Sequence, residues 1–216
     1  MRSDYTQQKK LEIEPRLPEL EKGWNLVNAD NALQQLISEE ISYSNRKAVW
    51  IDTGNHASTY RLASHGEEML EKITIARAFT AYHHHTLCEK LKEEIDEKTG
   101  LVVLTSINQL YEDENIPWKE AEQLFDSALE SLESSTRANN LKVLLTTADG
   151  KLAFRLQGRI DNHIRISKTS HGNRYSSDGF KTKFYRENGY LQTTLAYWES
   201  MEVMRWDGQM PRIETI

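Results

Sequence analysis

An α/β fold, with a mainly parallel central sheet flanked by helices and antiparallel strands at its C-terminal end, is what this sequence predicts. Three observations lead there. Short, almost wholly apolar runs recur at 47–52 (KAVWID), 101–106 (LVVLTS) and 141–146 (LKVLLT), and runs of that length without alternation fit strands buried on both faces. Between them lie longer segments with apolar residues at helical spacing, the crossovers that parallel pairing requires. Beyond Asp149 the pattern changes to alternating apolar and polar residues between turn sequences, which reads as antiparallel strands.

Taken in order, residues 1–22 carry Pro15, Pro18 and many charges with little periodicity, and read as an arm or linker. The domain is expected over 23–200, followed by a tail at 201–216. Trp24 to Val27 reads as the first strand. Asn28 to Asn31 makes a turn, with Asp30 or Asn31 capping a helix through about residue 43 whose stripe is Leu33, Leu36, Ile37 and Ile41. The strand at 47–52 stops at Thr53-Gly54-Asn55. A helix at 59–70 and a strand at 73–77 follow, then a helix at 82–98 on the spacing of Leu87, Leu91 and Ile95, with Gly100 opening the strand at 101–106. A long helix at 117–138 begins with proline in its first turn and aligns Ala121, Leu124, Phe125, Ala128, Leu129 and Leu132. After the strand at 141–146 come alternating segments at 160–170, 180–187 and 190–198, separated by His171-Gly172-Asn173 and Asn188-Gly189.

Composition narrows the class. With 38% hydrophobic and 28% charged residues the chain lies outside the disordered regime, and its 216 residues suit one large domain. No stretch approaches the roughly 18 apolar residues of a membrane span, and the first 23 residues hold no apolar core for a secretion signal. A single cysteine, Cys88, precludes an internal disulfide. A soluble cytoplasmic protein with no membrane partner is expected.

The net charge of −6 is unevenly distributed: residues 1–136 carry 14 Lys and Arg against 25 Asp and Glu, and residues 137–216 carry 13 against 8. Within 151–186 stand Lys151, Arg155, Arg159, Arg165, Lys168, Arg174, Lys181, Lys183 and Arg186, with only Asp161 and Asp178 opposing them. Phe154, Tyr175, Phe180, Phe184 and Tyr185 are interleaved, a mix suited to holding phosphates and stacking bases. The same pattern also fits a solvated face of an antiparallel sheet with its aromatics in the core, and the sequence leaves the two open.

His83, His84, His85 and Cys88 invite a metal reading, since His84 and Cys88 are one helical turn apart. Two further ligands at usable spacing are missing, and no metal site is expected. The Ser, His and acidic residues show no nucleophile-elbow context that would anchor a hydrolase.

Several strings together resemble the RecA/RadA recombinase superfamily over about residues 23–198. VWIDTGN at 49–55 resembles the IDTEG segment of RadA recombinases, and ITIARAFTAYHHHTLCEKL at 73–91 resembles their VARAFNADHQ helix entry. LVVLTSINQLYED at 101–113 occupies the place of the Walker B strand. LKVLLTTAD at 141–149 is similar to the next core strand, and IDNHIRISKTSHGNRYSS at 160–177 to the strand and turn after the second DNA loop. The resemblance implies a RecA-like core and, in an active member, ATP hydrolysis.

The departures point the other way. A phosphate loop needs glycines, a lysine and a Ser or Thr for magnesium; here the turn is Asn28, Ala29, Asp30, Asn31, with no lysine between Lys22 and Lys47. Thr105 stands where an aspartate would hold magnesium, and Gly54 where a glutamate would orient water. These six positions form a degenerate nucleotide site, and the expectation is a pseudo-ATPase without cofactor. Asp52 beside the loop is a carboxylate that a metal reading could claim.

The resemblance then implies an accessory protein of recombination or repair with single-stranded DNA and a RecA- or RadA-type recombinase as partners. Lys151, Arg155, Arg159, Lys168, Arg174, Lys181 and Lys183 are the candidate DNA contacts. The alternatives are a protein-binding regulator like the SulA-type division inhibitors and a divergent active ATPase. Without nucleotide to join subunits, at most a small oligomer is expected. Leu11, Ile13, Leu17 and Leu20 in the arm could anchor a partner or pack on the domain itself.

Overall fold

The computed structural model describes residues 20–28, 33–64, 66–169, 172–177, 180–183, 185–187 and 190–192, with side chains through Ser167 and at Ser176 and Ser177. The residues of the arm before Leu20, Ala29 to Asn31 of the turn after the first strand, the 193–198 part of the last segment and the tail lie outside them.

The chain is α/β. The described residues form ten strands and five helices in this order: β1 Gly23–Val27, α1 Leu33–Ser44, β2 Lys47–Asp52, α2 Thr59–Ala63, α3 Glu68–Glu71, β3 Ile73–Arg77, α4 Ala81–Glu94, β4 Thr99–Thr105, α5 Trp118–Ala138, β5 Lys142–Leu145, β6 Asn162–Thr169, β7 Gly172–Ser177, β8 Phe180–Lys183, β9 Tyr185–Glu187 and β10 Tyr190–Gln192. The sheet runs β3-β2-β4-β5-β1-β6-β7-β8, with β9 and β10 paired separately. All pairs from β3 to β6 are parallel, and β6-β7 and β7-β8 are antiparallel. The buried runs behave as their lack of alternation requires: β4 is buried at every position.

Each apolar strand feeds two cores by the two-residue period. Val49, Ile51, Val102, Leu104, Val143 and Leu145 pack with Trp24 against α4 and α5. Ala48, Trp50, Leu101, Val103 and Leu144 pack on the other face with the α1 stripe, Leu62 and Met69. Leu20 is buried in this second core, so the end of the arm packs on its own domain. Glu40 of α1 takes the Lys142 ammonium at 2.9 Å and ties helix to sheet; within the sheet, Asn25 at the centre of β1 accepts from Asn162 of β6 at 3.0 Å and donates to the Val143 carbonyl of β5.

Three boundaries differ from the sequence expectation. The helix expected at 59–70 is broken into α2 and α3, because Gly66 adopts φ +121°, a left-handed conformation that no continuous helix contains. The helix expected to reach residue 98 ends at Glu94: Asp96 folds back to accept from Lys98 N–H and the Thr99 hydroxyl, and β4 starts two residues early. The segment at 160–170 is antiparallel to β7, as expected, and it also pairs parallel with β1, which joins the antiparallel strands to the main sheet. The strand expected at 180–187 is two strands, β8 and β9, in different sheets. Two 3₁₀ turns, Gln109–Glu112 and Leu152–Leu156, cap the ends of β4 and β5 and had no periodic signal.

Candidate functional site

In an open parallel sheet, ligands sit beyond the carboxyl ends of neighbouring strands whose connections leave to opposite faces. The carboxyl ends of β2 and β4 are one such place here, as are those of β1 and β5. From β2 the chain goes to α2, whose Leu62 joins the α1 core; from β4 it goes through Tyr111 to α5 in the other core.

Asp52, the last residue of β2, is buried. After it Gly54 (φ +83°) and Asn55 (φ +60°) turn the chain back through left-handed backbone. The returning loop donates His56 N–H to Asp52 Oδ1 at 2.9 Å and Ala57 N–H to Oδ2 at 3.1 Å. Across the crevice the Thr105 hydroxyl donates to Oδ1 at 2.8 Å, and Arg77 Nε of β3 lies 3.6 Å from Oδ2. Thr105 Oγ1 in turn accepts from Thr53 N–H at 3.2 Å and Trp50 Nε1–H at 3.3 Å. The carboxylate accepts two backbone N–H groups of the returning loop and so holds it, as a carboxylate does in an Asx turn.

At the end of β4, Ser106 takes φ +46° and its Oγ lies 3.0 Å from His56 Nε2. Gly54 makes room for the pair: a Cβ there would meet His56 Nε2 at 2.8 Å and Gln109 Oε1 at 2.9 Å. A serine nucleophile also needs backbone N–H groups aimed at an oxyanion, but Ser106 N–H and Ile107 N–H donate to Thr146 Oγ1 and O. Thr53 Oγ1 is buried without a hydrogen-bond partner. His56 and Ser106 are the site residues that sequence reading missed. Their signals were a glycine-asparagine turn after one buried strand and a serine directly after another.

Of the six positions expected to form a degenerate nucleotide site, Asn28, Gly54 and Thr105 are among the described residues, and Ala29, Asp30 and Asn31 lie outside them. Gly54 and Thr105 share this crevice. Asn28 is turned to β6 instead, where its N–H donates to the Ile164 carbonyl at 3.3 Å and its Oδ1 accepts from Ile166 N–H at 2.7 Å. A cavity of about 170 Å³ opens at the opposite, amino end of the strands, where Arg137 is already paired with Glu133 at 2.8 Å and Asp161 at 3.6 Å.

The three histidines part company. His83 stacks on Phe79, and His85 lies 3.0 Å from Ser127 Oγ and 3.5 Å from Glu89. His84 is fully buried, with Nδ1 2.8 Å from the Tyr111 hydroxyl and 3.5 Å from Cys88 Sγ. Burial pushes the His84 imidazolium down to about 4 and the Cys88 thiol well above its ordinary value, so both are neutral near pH 7. Among the described residues no group of three or more His, Cys, Asp or Glu is arranged to hold a metal ion.

The candidate DNA contacts fall into two sets. Arg155 pairs with Glu122 at 2.6 Å and Asp126 at 3.1 Å on α5, and Arg159 Nε lies 3.6 Å from Glu133. Lys151 lies over the Trp118 ring, 5.7 Å from its centroid. The second set is on β6 to β8. Arg165 lies opposite Ser176, Arg174 opposite Lys183, and Lys181 also opposite Ser176, so positions 165, 174, 181 and 183 share one sheet face; position 168, opposite 173, is on the other. Arg165 is exposed, while Ile164 and Ile166 point to the α1 core, which places the basic face on the α5 side of the sheet.

No protein-family model and no curated protein sequence matches the chain. Among the described residues no helix is long and apolar enough to cross a membrane.

Proposed function

We propose that the chain is a non-catalytic RecA/RadA-like accessory protein of DNA recombination or repair, binding single-stranded DNA, a recombinase partner or both. The observation that carries this reading is the occupancy of Asp52. Nucleotide hydrolysis needs a carboxylate free to reach magnesium or water, and the one at this crevice is engaged by His56 N–H, Ala57 N–H, Thr105 and Arg77. Phosphate binding would fall instead to the face of β6 to β8 that carries positions 165, 174, 181 and 183. A purely protein-binding regulator, on the pattern of SulA-type inhibitors, is the second reading. It is favoured by the pairing of Arg155 with α5 carboxylates, which withdraws that cation from DNA.

Calorimetry with ATP and magnesium, alongside anisotropy of a labelled oligothymidylate, tests the two parts. The expected result is no heat of ATP binding at millimolar concentrations, together with oligonucleotide binding that weakens steeply with salt. A micromolar ATP dissociation constant overturns the non-catalytic reading, and absence of oligonucleotide binding at low salt removes DNA as a partner and leaves a protein-binding role, with a recombinase or as the regulator.

A further inference from the structure

Large aromatic side chains in solvent are uncommon, and when they cluster they mark contact surfaces. Phe79 (74% exposed), Tyr82 (49%), Trp118 (43%) and Phe154 (55%) do so here. They come from separate elements that converge at the carboxyl rim of the sheet. Phe79 precedes α4, with His83 stacked on its ring at 6.3 Å. Tyr82, in the first turn of α4, donates its hydroxyl to Glu120 Oε1 at 2.6 Å and so ties that helix to the first turn of α5. Trp118 opens α5 and lies under Lys151, while Phe154 of the next 3₁₀ turn lies under Arg155, which reaches back to α5 through Glu122. Tyr82, Lys151 over Trp118, and Arg155 over Phe154 thus bring these rings to the first two turns of α5, and Phe79 lies one turn before His83 at the start of α4.

The charge of the strip selects its occupant. Residues 112–126 hold six carboxylates and Lys119, and Lys151 and Arg155 lie over the rings; with Arg155 paired to Glu122 and Asp126, four carboxylates remain against Lys119 and Lys151. Bases could stack on the rings, but their phosphates would meet this negative field, whereas nucleic-acid grooves pair stacking rings with net positive charge. A protein segment presenting apolar anchors flanked by Lys and Arg complements both properties. We infer that the Phe79–Tyr82–Trp118–Phe154 strip is a docking surface for a basic, apolar-anchored protein segment. This rests on the reading that the chain acts by binding a protein partner, and names the place and the chemistry of that contact.

The test titrates the full chain with two labelled model peptides of identical leucine spacing, one with Lys and Arg at the polar positions and one with Glu. The basic peptide is expected to bind and to weaken with salt, and the acidic one not to. Trp118→Ala with Phe154→Ala should weaken the basic peptide by about tenfold or more, the effect of removing interface anchors. Trp118→Ser alone should weaken it in the same direction, and Tyr60→Ala, an exposed aromatic of α2 away from the strip, should leave it unchanged. Peptide binding that survives loss of Trp118 and Phe154 overturns the strip while keeping the chain as a binding protein. Equal affinity for the acidic peptide, or oligothymidylate binding that depends on Trp118, overturns it too. Magnesium-dependent ATP turnover by protein whose peptide binding depends on Trp118 supports the strip and overturns the non-catalytic reading.

Discussion

The Thr105 hydroxyl donates to Asp52 Oδ1 at 2.8 Å, joining the carboxyl ends of two neighbouring parallel strands. The same oxygen accepts from Thr53 N–H and Trp50 Nε1–H, so three buried groups depend on it. Thr105→Val, nearly the same shape, would leave two donors and one carboxylate oxygen short of a partner. A loss of about 2–4 kcal/mol in urea unfolding is expected, and Thr105→Ser should recover most of it. A valine variant as stable as the parent would show that the loop at 53–57 is held by other contacts.

Gly54 stands in left-handed backbone with His56 and Gln109 against its α-carbon. Gly54→Ala combines an unfavourable φ with two close contacts, and should cost about 1–3 kcal/mol. The measurement is the thermal or urea midpoint, and an unchanged midpoint would mean that the loop relaxes freely.

What the sequence made legible follows from range. Strands β2, β4 and β5 declare themselves because a strand buried on both faces is locally apolar, and α5 because its stripe repeats over 21 residues. The parallel pairing of β6 with β1 is not local: Asn25 lies opposite Asn162, and an alternating segment reads alike whichever way it pairs. The site was legible only as a list of departures. Thr105 and Gly54 appear as lost ATPase residues, but that Thr105 satisfies Asp52 depends on a contact 53 residues apart. The basic segment likewise reads as uniform charge until the fold sends Arg155 to Glu122 and Asp126, and sets Arg174 against Lys183.

His84 makes stability depend on pH. Its imidazole is neutral and fully buried in the native chain, with a folded value of about 4 against an ordinary 6.5. Between those values the unfolded chain binds a proton that the folded chain does not, so stability is full above pH 6.5 and is lost as pH falls through about 4. The gap corresponds to about 3 kcal/mol. Urea midpoints of the parent should fall over this window more than those of His84→Gln; parallel curves would assign acid sensitivity to other groups.

Arg155 should matter to stability and little to DNA. Its guanidinium joins the 3₁₀ turn at 152–156 to α5 through two carboxylates, each about one-third exposed, so screening keeps the pair modest. Arg155→Gln is expected to cost about 1 kcal/mol, with oligothymidylate affinity within about twofold of the parent. A large loss of affinity with stability intact would return Arg155 to the DNA surface.

The basic face of β6 to β8 should behave in the opposite way. Arg174 and Lys183 are directly paired across two antiparallel strands, and like charges in that relation destabilise a sheet. Replacing both with Gln should therefore leave stability unchanged or slightly raised. If positions 165, 174, 181 and 183 all neutralise phosphates, the logarithm of single-strand affinity should fall with the logarithm of salt at a slope of about −3, and the double variant should bring it to about −1.4. Reading slope and stability together separates the cases. A solvated face without a ligand gives the same slope in both proteins, or no binding at all. A purely structural role for Arg174 and Lys183 lowers the unfolding midpoint. Only a phosphate-binding face flattens the salt dependence while sparing the fold.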